Sequence, residues 1–111
     1  MDPNPLKTLF EALPDHEAED IVCRALEDIA TRLNKLQAAR SAGTFAEIRA
    51  PADRVAAIAG QIGLTEISLV AGHMAKASEM NCGVALGATM ARLERVFDAA
   101  VSHIWDFRTY D

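Results

Sequence analysis

Val22, Leu26, Ile29, Leu33 and Leu36 recur at spacings of four, three, four and three. Residues three and four apart share one side of a helix, whereas a half-buried strand repeats every second residue. The row therefore predicts an amphipathic helix about four turns long with one side against a core. Rows of the same kind return three times. They are Val55, Ile58, Ala59 and Ile62, then Ile67, Val70, Ala71, Met74 and Ser78, and finally Leu86, Met90, Leu93, Phe97, Ala100 and Ile104. No segment reads as a strand. Four apolar rows separated by short breaks must bury themselves against one another.

The breaks set the expected boundaries. The first helix runs from near Asp15 to about Ala39, and Asp15, Glu17, Glu19 and Asp20 suit the positive end of its dipole. Ser41-Ala42-Gly43-Thr44 interrupts it, with Thr44 available to cap the next helix. The second helix lies within Phe45 to Leu64 and closes at Gly63, a residue suited to positive φ. Pro51 falls inside that stretch; either it bends the helix or the regular helix begins there. Thr65 is the expected cap of a third helix with Glu66 early in it, Asn81 is the next break, and Gly83 to about Phe107 makes the fourth. Short loops make neighbours antiparallel, so the expected fold is all-α, an up-down-up-down four-helix bundle over residues 16–107. Residues 1–15 read as a short N-terminal helical extension. Asn4-Pro5 opens it, Leu6, Leu9, Phe10 and Leu13 give it an apolar side, and Pro14 stops it. It either lies across the bundle or forms a mobile tail. Trp105 is expected to close the far end, with residues 108–111 as a frayed tail.

Composition narrows the function. The chain has 111 residues, enough for one domain; half are hydrophobic but only 5% aromatic, so small aliphatic side chains and Met must build the core. A net charge of −5 without a basic stripe speaks against nucleic acid. No apolar run approaches the ~18–20 residues of a membrane span, and the N-terminus lacks a signal-peptide pattern, so no membrane partner and a cytoplasmic location are expected. Cys23 and Cys82 have no metal-ligand spacing and read as free, half-buried thiols. His16 stands among acids without a ligand partner at a suitable distance in sequence, and no metal site or cofactor is expected. Ser-His-Asp, Gly-rich phosphate-loop and paired-carboxylate patterns are missing, which leaves no expected catalytic residue.

The second helix has an odd outer side. At ~100° per residue, with Asp53 at zero, Val55, Ile58, Ala59 and Ile62 fall at about 200°, 140°, 240° and 180°. The Asp53 side should then face water, yet Ala56, Ala57 and Gly60 surround it where Lys, Glu or Gln would be usual. Asp53 itself is either a solvated acid favoured by a helix start or a carboxylate in a functional position. The bare side is covered either by the N-terminal segment, through Leu9 and Phe10, or by a partner. On the third helix Leu69, His73 and Lys76 share the side opposite its core row, and on the fourth Arg92, Glu94, Arg95 and Asp98 look outward.

These residues resemble those of histidine phosphotransfer (HPt) domains, four-helix modules that pass phosphoryl groups between receivers in two-component signalling. The family has a small AGD-like loop, where this chain has Ser41-Ala42-Gly43-Thr44-Phe45. Its second helix reads roughly A-H-x-L-K-G-x-A-x-x-L-G, where Ala52 to Leu64 reads A-D-R-V-A-A-I-A-G-Q-I-G-L. T-E-I-S-L-V from Thr65 and A-R-L-E-R-V-F from Ala91 to Phe97 continue the match, which needs no gap from about Glu19 to Phe107. Gly63, Val55 and Ile62 fall in register. The departures lie at the chemistry. The family's phosphorylated histidine falls on Asp53, its assisting basic residue on Ala56, and the following Gly on Ala57.

The resemblance implies a degenerate HPt-like domain that docks a response-regulator receiver or histidine-kinase partner without relaying phosphate. Asp53 is then the phosphosite equivalent, and Arg54, Ala56, Ala57, Gly60, Gln61, Leu69, His73 and Lys76 make the contact. Without a ring nitrogen or a nearby cation, phosphoryl transfer at this site is not expected. Two other functions compete: active phosphotransfer through His73, and a structural or homodimerising bundle.

Overall fold

The computed structural model describes residues 11–109, and of residues 15 and 105–109 the backbone alone. Among these residues all regular secondary structure is helical, with four long helices: α1 (Asp15–Ala42), α2 (Arg49–Gln61), α3 (Thr65–Glu79) and α4 (Gly83–Thr109), plus a 3-10 turn at Phe45–Glu47 before α2. Leu6, Leu9 and Phe10, the Trp105 side chain and residues 110 and 111 lie outside the described part. Pro14 is out of the helix, as expected, and its carbonyl accepts from the N–H groups of Glu17 and Ala18 at 2.9 and 3.1 Å.

Each break is a specific backbone device. Gly43 has φ 76° and Gly63 has φ 83°, and the following N–H groups reach back five residues. Thr44 donates to the Ala39 carbonyl at 2.9 Å, and Leu64 to that of Ala59 at 2.8 Å. α1 and α2 thus end in the same glycine-based C-cap, which satisfies carbonyls the helix leaves open. Asn81 (φ 52°) takes the left-handed position after α3, a conformation Asn tolerates better than most residues.

Three expected local details differ. α1 continues to Ala42, so Ser41 and Ala42 belong to the helix rather than the break. Neither Thr44 nor Thr65 caps a helix N-terminus through its side chain. Thr44 Oγ1 instead donates back to the Ala39 carbonyl at 3.2 Å, and Thr65 is already the first residue of α3. Pro51 does not begin α2. It occupies the third position of α2, and the hydrogen bonds of the turn start with the Ala52 N–H donating to Ile48 at 3.1 Å. A first-turn N–H has no intrahelical acceptor, so proline sacrifices nothing there.

The expected rows form the core. Ile29, Leu36, Val55, Ile67, Val70, Met74, Leu86, Met90 and Leu93 are almost completely buried, and Leu26, Phe97 and Ala100 are half-buried at the margins. α1 packs on α2 and α4, α2 on α3, and α3 on α4. α1 and α4, with 28 and 27 residues, are about twice as long as α2. At 1.5 Å per residue α1 spans ~42 Å, and the molecule measures 43 Å along its longest axis. Their outer ends therefore run beyond α2 and α3. There Val22 and Ile104 make a small separate cluster with Leu26 and Leu64. At the other end, the Phe45 ring of the 3-10 turn packs beside Gly83, 3.5 Å from where a Cβ would stand.

Two glycines give opposite expectations. Gly63→Ala forces a side chain into positive φ and should cost ~1 kcal/mol, lowering the melting temperature by about 4–6 °C. Gly72 lies inside α3, and a methyl group added there would meet nothing within 4 Å, so Gly72→Ala should raise stability by up to ~1 kcal/mol. Thermal unfolding followed by circular dichroism reads both.

Candidate functional site

The bare side of α2 is in part a seam. Ser68 Oγ on α3 donates to the Ala56 carbonyl at 2.8 Å. A Cβ at Gly60 would stand 3.4 Å from the same oxygen, an ordinary contact distance. Ala56 is half-buried against the core. Small residues at these positions, four apart on one side of α2, let α3 come close enough for a side chain to reach α2 backbone. Neither the N-terminal segment nor a partner is needed to explain Ala56, and Gly60 has the same neighbour.

A second link crosses the seam at its other end. Arg49 Nε lies 3.5 Å from Asp53 Oδ2, one turn along α2, and Arg49 Nη1 pairs with Glu79 Oε1 at the end of α3. The three side chains are about half exposed or more: 61% for Arg49, 58% for Asp53 and 47% for Glu79. Exposed pairs of this kind contribute ~0–1 kcal/mol each. Their main effect is positional: a carboxylate, a guanidinium and a second carboxylate are strung across the α2–α3 junction. The expectation that no cation stands near Asp53 is thus corrected. Ala56 supplies none, but Arg49 does, from the turn before.

The two links, Arg49 with Glu79 and Ala56 with Ser68, show α2 and α3 running antiparallel. That register sets the stretch Gly72 to Lys76 alongside Asp53. Leu69, His73 and Lys76 are exposed on α3, Leu69 to 56%, and Asp53, Ala57, Gly60 and Gln61 are exposed on α2. Arg54 is not with them. It is exposed on the opposite edge of α2, where it lines a groove against α1. Cys23 and Cys82 are free, as read, but exposed rather than half-buried, because both fall outside the apolar rows. Among the described residues no group of three or more His, Cys, Asp or Glu is placed to hold a metal ion, and no helix is long and apolar enough to cross a membrane.

Chemically, the site offers a carboxylate beside a guanidinium, a strip of small side chains, and an imidazole on the neighbouring helix. It carries no imidazole on α2. No protein-family model, curated protein or solved structure matches this chain.

The seam and the ion pairs should separate in unfolding measurements. Ser68→Ala leaves the half-buried Ala56 carbonyl without its extra donor and should cost ~1 kcal/mol. Asp53→Ala removes only an exposed pair and should change stability by less than about 0.5 kcal/mol. Urea titration of the two variants checks the order.

Proposed function

We propose that this chain is a non-catalytic, HPt-like signalling module that docks a response-regulator receiver or a histidine kinase without relaying phosphate. The observation that carries the reading is the outer strip of α2. Asp53, which the resemblance aligns with the family's phosphohistidine, is exposed, and Ala57 and Gly60 beside it are exposed small residues. The bundle is read as antiparallel, up-down-up-down. Support comes from the α2–α3 links and from the sides of three grooves. Arg32 to Ala42 faces Thr44 to Arg54, Ala30 to Gln37 faces Met90 to Asp98, and Leu64 to Ile67 faces Val96 to His103.

The electrostatics favour docking over transfer. A carboxylate is a poor phosphoryl acceptor without divalent metal and several acidic ligands, and Asp53 already has a guanidinium partner. Apolar contact with Ala57 and Gly60 would supply affinity, and Lys76, on α3, would approach the acidic pocket of a receiver. His73 is exposed on the same side and gives the experiment its second arm.

Binding to a panel of purified receiver domains, followed by calorimetry, tests the reading. Ala57→Arg places a long side chain on the strip without entering the core and should weaken binding at least ~10-fold, about 1.4 kcal/mol. Phosphorylated receiver should leave no label on the protein. Unchanged affinity in Ala57→Arg would remove the proposed face. An acid-labile, base-stable label that disappears in His73→Ala would replace docking by transfer.

A further inference from the structure

Past the level of Leu64 the bundle is reduced to two helices. Val22 of α1 and Ile104 of α4 form a cluster there with Leu26 and Leu64. α3 begins beside Val96 to His103, and α2 has already ended at Gln61. Residues 15–21 of α1 therefore have neither α2 nor α3 alongside. Two helices side by side bury only the seam between them, yet this end is well covered. Ala18 is 0% exposed and Val22 2%. Among the described residues Ala18 belongs to neither apolar cluster. Leu13, just before Pro14, is half-buried as well, and Ile21 is 41% exposed at the edge.

Reach limits what can lie over this end. Residues 1–10 join the described part at Glu11. Glu11 and Ala12 are helical, and the chain bends at Leu13 before it enters α1. Even fully extended, Phe10 stands within ~14 Å of Pro14 and Leu9 within ~18 Å. α1 rises ~25 Å from Asp15 to Arg32, the first α1 residue to share a groove with Arg54. Asp53 is the neighbour of Arg54, so Leu9 and Phe10 fall short of its level. The two-helix end is within their reach. Leu6, Leu9, Phe10 and Leu13 fall on one side at helical spacing. Wound as a helix, residues 6–13 would span ~12 Å, against ~10 Å for residues 15–21. The apolar length available matches the length that α2 and α3 leave open.

We propose that residues 6–13 fold back at Leu13-Pro14 and lay Leu6, Leu9 and Phe10 over the α1–α4 seam at Ala18, Val22 and Ile104. The segment is a strap that takes the place of α2 and α3 where those helices have ended. It keeps an apolar end of the bundle out of water and leaves Asp53 uncovered. The inference does not rest on the receiver reading, because it concerns the end of the bundle away from Asp53.

The test uses the full chain, labelled with nitrogen-15 and carbon-13. Nuclear Overhauser contacts from the Phe10 ring to the methyl groups of Ala18 and Val22 are expected. Leu9→Ala and Phe10→Ala together should speed amide hydrogen exchange from Val22 to Leu26 at least ~10-fold and leave Ile67 to Met74 unchanged. Circular dichroism confirms that the double variant keeps its helices, and the contacts in the unsubstituted chain decide the matter if it does not. Phe10 contacts to Ala57 or Gly60 instead would overturn the proposal. So would a Phe10 ring without contacts beyond Leu13 together with unchanged exchange, since the end of α4 would then seal the seam alone. A mixture of labelled and unlabelled chains gives the last arm: contacts that form only between copies overturn the strap, because a second copy would then be the cover.

Discussion

The close approach of α3 to α2 is the constraint on which the remainder of this structure depends. With so few aromatic rings, the core cannot be filled by large side chains, and small aliphatic ones pack well only when helices come near each other. Ala56 and Gly60 remove bulk from one side of α2, and Ser68 uses the space to hydrogen-bond the α2 backbone. The buried alanines Ala52, Ala59, Ala71 and Ala75 extend the same economy of volume inward. Arg49 ties the far end of the junction to Glu79. The seam thus holds the two short helices together at both ends, while α1 and α4 run past them.

The exposed strip is a consequence of that seam. A helix that keeps one side small for a neighbour has few positions left on which to carry charge. Asp53 and Ala57 sit just beyond the seam, and Asp53 is steadied by Arg49 without being buried. The result is an exposed strip of small side chains with one paired carboxylate. Its chemistry offers no imidazole on α2. The groove on the other edge of α2 differs in kind: alanines of α1 and α2 line it together with Arg32, Lys35, Glu47 and Arg54.

Much of this was legible in the residues. The four apolar rows mark the core because a 3.6-residue period leaves little freedom about which side is buried. Gly63 and Asn81 mark helix ends because few other residues accept positive φ. The local caps were not legible. A threonine before a helix suits an N-cap, but Thr44 is drawn to the open carbonyl of Ala39 behind it, and Leu64 takes the position Thr65 was expected to fill. Ala75 and Ala77 are buried although they stand outside the row read for α3, since α3 is covered by both α2 and α4. Arg49 was missed as a partner of Asp53 although the two are four apart in sequence, because Pro51 between them left open whether the regular helix reaches back to Arg49. Ser68 was missed because a hydroxyl on a helix gives no sign of the backbone carbonyl it will meet across a seam.

Central to the proposed function is whether the Asp53 strip retains the shape of a receiver-docking face after losing its phosphoacceptor. Restoring the acceptor examines that most directly. Asp53→His puts an imidazole on an exposed position of α2, where the fold should accept it. The measurement is phosphoryl transfer from a panel of phosphorylated receiver domains to the wild-type protein and to Asp53→His. The expected result is a base-stable label on the substituted protein from at least one receiver and none on the wild type. If no receiver labels the well-folded variant, or if the wild type is labelled equally, the strip is not a phosphotransfer face with its chemistry removed.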